Sequence, residues 1–517
     1  MTSPRTPSGS SARRTFADAC LLARRTRVLL EVGDVPVEDV GVRRLSVRDV
    51  PVRLRDAAGP EVPRGQLDGR EAPEDRPEPR ARAKRLRETL LVRSEGCHRI
   101  DPFVADGRTL RPAAPSGYRK GGRRPRPSKE PSLTQLRFDL ARLPDEASLF
   151  RTEVRAFLAE TLADFPADRR SYTWMGSDPA FSRKMAERGW IGMTWPKRYG
   201  GGERSAFERY VVLEEMLAAG APVGAHWVAD RQSGPLLLKY GSEAQRREIL
   251  PGVCRGETFF CIGMSEPDSG SDLASIRTRA ERVDDGWRIN GTKLWTSGAP
   301  HCAYMIALVR TTVVEGQKHA GLSQLLVPLD RDGIEIRAIQ DLAGNRHFCE
   351  VTFTDAIVPE DAVIGEEGGG WAQVMAELAY ERSGPERYLS CHPLLTELVR
   401  HLGDEAGTGA RERTALGRQV AHLATLRQMS VAVAGLLDRG ASPALEAAVV
   451  KDLGGVYEQD LPGIVQSLVR EAPRTDDGAS DLQRVLAHLM QNAPSFSLRG
   501  GTREVLRGII ARGLGLR

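Results

Sequence analysis

The spacing of apolar residues predicts helices in the segment that follows residue 132. Apolar side chains recur at helical spacing at Leu149, Val154, Phe157, Leu158 and Leu162. This spacing is typical of an amphipathic helix with one face in a core. Similar patterns over residues 207–217 and 234–240 continue the helical character. We therefore expect an N-terminal helical domain over residues 132–258.

Short apolar runs replace the helical spacing over residues 259–365. The runs are Trp287–Ile289, Met305–Val309, Leu325–Val327, Ile334–Ile336 and Val351–Phe353. Turn-forming pairs such as Asp285-Gly286 and Asp332-Gly333 separate them, which is typical of β-strands. From Trp371 the helical spacing returns. The fold class predicted is α+β: a helical domain, a β-barrel or β-sandwich domain (259–365), and a C-terminal helical bundle (366–517).

Residues 1–131 have a different composition. They are dense in Arg, Pro and Gly, and few apolar residues recur at helix or strand spacing. Such a segment cannot bury enough apolar surface to offset the entropy of ordering. We therefore expect a disordered basic extension over residues 1–131.

The charge of the chain is unevenly distributed. Residues 1–131 hold 29 Lys and Arg against 18 Asp and Glu, a net charge of +11, whereas the whole chain carries +5 and the remainder therefore carries −6. A mildly acidic folded part argues against a nucleic-acid partner. Binding of nucleic acid or anionic lipid by the basic extension alone stays as an alternative.

The remaining composition excludes several classes of protein. No run of 18 apolar residues is present, so we expect no membrane span. Arg24, Arg25 and Arg27 interrupt the apolar patch near the N-terminus, which argues against a secretory signal. The seven cysteines form no CxxC pair, which favours reduced thiols in the cytoplasm. The nine histidines show no metal-ligand spacing, so no metal is expected.

Five strings resemble motifs of the acyl-CoA dehydrogenases, in that family's order and at its spacing. They occupy residues 189–201 (GWIGMTWPKRYGG), 264–273 (MSEPDSGSDL), 291–298 (GTKLWTSG), 353–359 (FTDAIVP) and 365–371 (GEEGGGW). The resemblance covers about residues 135–517. It implies FAD-dependent α,β-dehydrogenation of an acyl-CoA thioester, with electrons passed to electron-transfer flavoprotein.

The resemblance also assigns the residues that contact the cofactor. A loop rich in Gly, Ser and Asp can bring backbone N–H groups and hydroxyls close to a flavin ring, while Trp295 packs against the ring and Ser297 hydrogen-bonds near N5 and O4. The expected FAD-binding residues are Ile262, Met264, Ser265, Ser271, Trp295, Thr296, Ser297, Arg413, Thr502 and Glu504. Arg413 begins a string in which Leu416 replaces the family's Phe, and the Gly-rich string that usually follows is absent.

The catalytic base is expected at Glu381. Many members of the family carry the base as a Glu near the C-terminus, but Gly500 occupies that position here. A second class places the base on the helix after the 365–371 string, and the matching residue is Glu381. The alternative is a solvated Glu on a charged helix, with Glu377 as the next carboxylate to test. By the same resemblance, Arg382 and Ser271 contact the substrate.

The sequence leaves two other functions and two modes of assembly open. The functions are a flavin monooxygenase of the same fold, which needs no carboxylate base, and a non-catalytic subunit of a heteromeric dehydrogenase. The resemblance predicts a homotetramer, or a heteromer with a related subunit. Apolar C-terminal residues that could pack against sister subunits as well as within the subunit are Leu423, Leu426, Val431, Val433, Leu436 and Leu437. The sequence leaves open the acyl chain length, its branching, and the choice between CoA and an acyl carrier protein.

Overall fold

The computed structural model describes residues 136, 138–139, 141–382, 384–404 and 409–516, apart from the side chains of 378–381 and 404. The extension over residues 1–131, which we expect to be disordered, lies outside the described residues.

Seven helices form the N-terminal part of the described chain. They are α1 (Asp145–Thr161), α2 (Ala167–Arg170), α3 (Pro179–Glu187), α4 (Ala206–Ala218), α5 (Gly224–Val228), α6 (Gly234–Tyr240) and α7 (Glu243–Cys254). Ser205 and Ser242 begin α4 and α7 with capping boxes, in which each hydroxyl accepts from the third backbone N–H of its helix. A single π-helical turn, Ala229–Ser233, separates α5 from α6.

Helix α1 buries the face that its sequence predicts, with one exception. Val154, Phe157, Leu158 and Leu162 are buried, but Leu149 is 75% exposed. At about 100° per residue, Leu149 lies about 140° around the helix from Val154. The expectation that Leu149 faces the core is therefore wrong.

The middle part is one seven-stranded sheet. Its strands are β1 (Phe260–Gly263), β2 (Arg279–Val283), β3 (Gly286–Ser297), β4 (Tyr304–Arg310), β5 (Leu322–Pro328), β6 (Ile334–Ile339) and β7 (Phe348–Val358). The strand order is β1-β4-β2-β3-β7-β6, and β5 pairs with β4. The five predicted apolar runs lie in β3 to β7. Strands β1 and β2 were not predicted, and β1 joins the sheet by parallel pairing with β4.

Six helices follow the sheet. They are α8 (Gly370–Glu381), α9 (His392–Asp404), α10 (Ala410–Asp438), α11 (Ala444–Leu468), α12 (Asp481–Asn492) and α13 (Arg503–Gly513). The helices before and after the sheet share one apolar core, while the sheet has a second core of its own. The predicted α+β order of helices, sheet and helices is confirmed.

Helix α10 carries the six apolar residues considered for packing within the subunit or between subunits. Leu423, Leu426, Val431 and Val433 are buried within the subunit, whereas Leu436 and Leu437 are half-buried. Within the described residues, α10 is also the one helix whose length and composition would allow it to cross a membrane. Of its most apolar window, 44% is buried inside the protein, and a core helix passes the same test.

A buried ionic network joins the two helical parts. Glu214 on α4 is almost fully buried and accepts from Arg151 on α1 at 2.6 Å and from Arg427 on α10 at 2.7 Å. Burial alone would raise the pKa of Glu214, but the two guanidinium groups hold it below its usual value. The network therefore keeps a charged carboxylate between three helices.

We expect Glu214→Gln to lower the free energy of unfolding by about 3 kcal/mol, because it leaves two buried arginines without their shared carboxylate. Urea denaturation followed by circular dichroism measures the change. Glu335→Gln is the matched control, since Glu335 pairs with Arg337 on the surface and such pairs contribute about 0–1 kcal/mol. Equal midpoints for the two variants would contradict a stabilising role for the network.

Candidate active site

The loop after β1 is fastened to strand β3. Ile262, Met264 and Ser265 are half-buried at the end of β1, and Ser271 is exposed further along the loop. The Lys293 ammonium donates to the carbonyl of Met264 at 3.1 Å, and the backbone N–H of Leu294 donates to the carbonyl of Ser265 at 2.8 Å. The loop and β3 therefore form one wall, in which Met264 and Ser265 are bonded to the two residues that precede Trp295.

A buried ion pair holds this wall together. The Lys293 ammonium lies 2.9 Å from Glu266 Oε1, and both side chains are buried. Glu266 also accepts from the backbone N–H groups of Arg277 and Thr278, at 2.6 and 2.9 Å. Burial lowers the pKa of Lys293 to about 8 against the attraction of Glu266. This pair was not predicted from the sequence, since lysine is almost never fully buried unless it is paired and the string 291–298 does not reveal a partner.

Trp295 stands out from the sheet because of a β-bulge. The pairing of β3 with β7 is irregular between Lys293 and Thr296, and Trp295 has a φ of +62°. Its ring is 55% exposed and meets the ring of Phe348 edge-on, with 5.8 Å between centroids. Ser297, two residues on, is also exposed. The bulge therefore presents an aromatic ring and a hydroxyl next to the loop.

Thr296 differs from its two neighbours. It is fully buried, and within the described part of the chain its hydroxyl has no hydrogen-bond partner. Its side chain belongs to the interior of the sheet, so only its backbone can reach a ligand placed over Trp295.

The end of α8 meets the segment that precedes α13. Glu381 is the last residue of α8, and its carboxylate lies outside the described side chains. The next residue, Arg382, is buried, and a Cβ built on Gly501 would lie 3.3 Å from Arg382 Nη2. A Cβ on Gly500 would lie 3.0 Å from both terminal nitrogens of Arg387. The Arg382 side chain, next to Glu381, therefore reaches the backbone beside Gly500, the other position at which this family carries a base.

Glu377 lies one helical turn before Glu381 and lines a narrow cleft. It is buried, and its Oε1 accepts from Gln324 at 3.3 Å. The opposite side of the cleft is formed by Arg231 from the π-helical turn and by Lys239 and Tyr240 from α6. The cleft runs along α8, next to the residue expected to be the base.

The remaining residues expected to contact FAD lie on, or directly before, two of the C-terminal helices, α10 and α13. Thr502 is the N-cap of α13, and its hydroxyl accepts from the backbone N–H of Val505 at 3.4 Å. It follows Gly501 and so lies near Arg382. Glu504 is exposed in the first turn of α13, and Arg413 is exposed in the first turns of α10. The roles of these residues toward FAD stay predictions.

Comparisons with known proteins define the class. Residues 144–257 match the family model for the acyl-CoA dehydrogenase N-terminal domain, and residues 261–356 match that for the middle domain. The chain is 35% identical over 395 residues to the acyl-CoA dehydrogenase IpdE1 of Mycolicibacterium smegmatis, covering 72% of this chain and 98% of the relative. It is 27% identical over 394 residues to the mitochondrial isovaleryl-CoA dehydrogenase of Oryza sativa subsp. japonica, covering 74% and 93%.

Two similar solved structures are complexes of two named subunits. The steroid ACAD Tcur3481-Tcur3483 has a TM-score of 0.66 and 30% identity, covering 73% of this chain and 98% of the other. The ChsE4-ChsE5 complex from Mycobacterium tuberculosis has a TM-score of 0.63 and 27% identity, with the same coverage. The chain therefore belongs to the acyl-CoA dehydrogenase family of oxidoreductases, as its sequence motifs predict.

Proposed function

We propose that this chain binds FAD and catalyses the α,β-dehydrogenation of an acyl-CoA thioester, with electrons passed to electron-transfer flavoprotein. The observation that carries the proposal is the reach of the Arg382 side chain, directly after Glu381, to the Gly501 backbone. Because this side chain links the end of α8 to the segment that holds Gly500, a carboxylate at Glu381 is placed to replace the one that Gly500 lacks. Membership of the acyl-CoA dehydrogenase family supports the reaction class.

The wall formed by the loop and β3 fits a flavin. A large aromatic ring that is 55% exposed, held by a β-bulge at a φ of +62°, is suited to being covered by a second planar ring. Trp295, Ser297, Met264 and Ser265 would hold FAD there. Bound FAD supplies the acceptor for the hydride that leaves the β-carbon.

The protein's own groups would supply the proton chemistry. Glu381 takes the α-proton of the thioester as a general base. Arg382, directly after it and buried, helps to fix the end of the helix against Gly501. Position 500 carries no group that can accept a proton, so the base function falls to α8.

We also propose that the chain assembles with a related subunit or with copies of itself. Structural relatives that are two-subunit complexes support a heteromer. The departures at Gly500 and Leu416 from the family's motifs are the features that favour a non-catalytic subunit as a second function. Light scattering on the purified chain measures its mass in solution.

One experiment separates these functions. The purified chain is loaded with FAD and mixed anaerobically with a panel of acyl-CoA thioesters while the flavin absorbance is followed. Bleaching by at least one thioester supports a dehydrogenase. Flavin that stays oxidised until NADPH is added, followed by rapid oxygen consumption, indicates a monooxygenase. A chain that binds no flavin by itself indicates the non-catalytic subunit.

We expect Trp295→Ala to weaken FAD binding roughly tenfold, because ring stacking contributes about 0.5–1.5 kcal/mol beyond the area it buries. Quenching of flavin fluorescence on titration measures the dissociation constant. Leu342→Ala is the control, since Leu342 is an exposed apolar side chain (80%) on the loop between β6 and β7. An unchanged constant for Trp295→Ala would show that the flavin does not lie on this ring.

A further inference from the structure

The π-helical turn Ala229–Ser233 directs two charged side chains inward. Asp230 and Arg231 are both buried, at 5% and 7% exposure. Asp230 accepts from Arg209 and from the backbone N–H of Gly192, each at 2.8 Å, so its role in the fold is clear. Arg231 instead lines the cleft along α8. Single π-helical turns inside helices occur often at functional sites.

Arg231 has donors to spare in that cleft. Its Nη2 donates to Glu386 Oε1 at 2.6 Å, and within the described ranges this is the one side-chain hydrogen bond that it makes. Its guanidinium also lies over the ring of Trp227, at 5.0 Å from the centroid. A guanidinium has five N–H donors in a planar fork. Arg231 can therefore donate to Glu386 and to a second anionic oxygen at the same time.

The charges around Arg231 favour an added anion. Arg387 also approaches Glu386, at 3.5 Å, so two guanidinium groups share one carboxylate. Burial lowers the pKa of Arg231 to about 10, with Glu386 and, to a smaller extent, Asp230 opposing the decrease and Arg209 and Arg387 adding to it. A further negative charge beside Arg231 would oppose the repulsion from the two arginines. Buried cations are costly unless an anion pairs with them.

Arg231 lies beside the course that the acyl chain of a bound substrate would follow along α8. Glu377, on the other side of the same cleft, precedes Glu381 by four residues, which is about 6 Å along α8. Arg231 and Glu377 line the same cleft, so an acyl chain that follows α8 from the base toward Glu377 would pass Arg231. A plain hydrocarbon end would have to desolvate the guanidinium there, whereas sites for apolar ligands are lined mostly by apolar side chains.

We propose that the acyl group of the substrate carries a carboxylate at its far end, which Arg231 binds beside Glu386. The inference rests on the proposed dehydrogenase function, since it places the acyl chain between Glu381 and the π-helical turn. Arg231 suits this role because arginine binds carboxylates through two parallel N–H···O bonds. It would determine specificity and take no part in proton or hydride transfer.

The test compares thioesters of equal length that differ at the far end. The FAD-loaded chain is mixed anaerobically with glutaryl-CoA against valeryl-CoA, adipyl-CoA against hexanoyl-CoA, and suberyl-CoA against octanoyl-CoA. In at least one pair we expect kcat/KM for flavin reduction to favour the carboxylate roughly tenfold or more, as for a hydrogen bond to a charged group. An ω-hydroxyacyl-CoA of each length separates charge from hydrogen bonding alone.

The double variant Arg231→Gln/Glu386→Gln removes both members of the Arg231–Glu386 ion pair, and Arg387 loses its more distant contact with Glu386. We expect its preference for the carboxylate to fall to about parity. Glu335→Gln/Arg337→Gln removes a surface pair of the same composition and should keep the preference. If the first double variant does not fold, the comparison of substrates on the unaltered chain decides alone.

Four results would overturn the inference. If the plain acyl chain is turned over equally well or better in every pair, the carboxylate inference is wrong and the proposed dehydrogenase function is unaffected. Preference for the hydroxyl over the carboxylate shows that charge is not recognised. A preference that survives in Arg231→Gln/Glu386→Gln places the carboxylate elsewhere. Flavin that no thioester reduces removes the proposed function and this inference together.

Discussion

Glu381→Gln is expected to slow flavin reduction by an acyl-CoA by ~10²–10⁴-fold or more, the range that a general base supplies. Glutamine keeps the shape of the side chain but cannot accept the α-proton. Without that step, departure of a hydride would leave positive charge on the β-carbon with nothing to neutralise it. The content of bound FAD should stay unchanged, because the wall that would bind it is built from β3 and the loop after β1.

Stopped-flow absorbance under anaerobic conditions measures the rate. Glu366→Gln is the control, since Glu366 is an exposed carboxylate just before α8. Near-normal reduction by Glu381→Gln would show that the base is elsewhere, and Glu377 would be examined next. Adding Gly500→Glu is not expected to restore the rate. Gly500 has a φ of +68°, and a side chain there would meet the Arg387 guanidinium.

Lys293→Met is expected to destabilise the sheet domain by about 3–5 kcal/mol and to lower the retention of FAD. The variant leaves the Glu266 carboxylate buried without its ammonium, and breaking a buried ion pair from one side carries a cost of this size. The same lysine also donates to the carbonyl of Met264, so the loop loses its fastening to β3. Thermal unfolding and the flavin-to-protein absorbance ratio measure the two effects.

Lys318→Met is a matched control, because Lys318 from the β4–β5 connection pairs with a carboxylate of the same loop. Lys318 pairs with Asp272 at 3.3 Å, but both side chains are more than half exposed, so the expected change is about 0–1 kcal/mol. Lys293→Met/Glu266→Gln should recover part of the loss, because it removes the stranded charge. Equal stability and FAD content in Lys293→Met and Lys318→Met would show that the buried pair does not hold the loop.

Much of the fold could be predicted because its signals are local. The apolar spacing of α4 and α6, and the turn pairs before β3 and β6, depend on neighbouring residues. Strands β1 and β2 escaped prediction because of their sequences: β1 has four residues, and β2 places charged side chains on its exposed face. The burial of Leu423 and Val433 inside the subunit depends on how distant helices pack, which periodicity does not reveal.

The residues of the candidate site also fall into two groups: those that a local string predicts and those that only the tertiary fold brings together. Trp295 and Ser297 belong to one string, so the sequence placed them together. The pairing of Lys293 with Glu266 joins residues 27 positions apart, and that of Arg231 with Glu386 spans 155. Contacts of this kind come from the tertiary fold. An irregular turn such as Ala229–Ser233 has no clear signal in one sequence.

The most direct test of the central claim is a single turnover of the FAD-loaded chain with an acyl-CoA under anaerobic conditions, with and without deuterium at the α-carbon. We predict one 2-enoyl-CoA formed for each flavin reduced, and slower reduction with the α-deuterated thioester, because removal of the α-proton by Glu381 breaks that C–H bond. Flavin that stays oxidised with every thioester, or reduction at the same rate with deuterium at the α-carbon and no enoyl product, would contradict it.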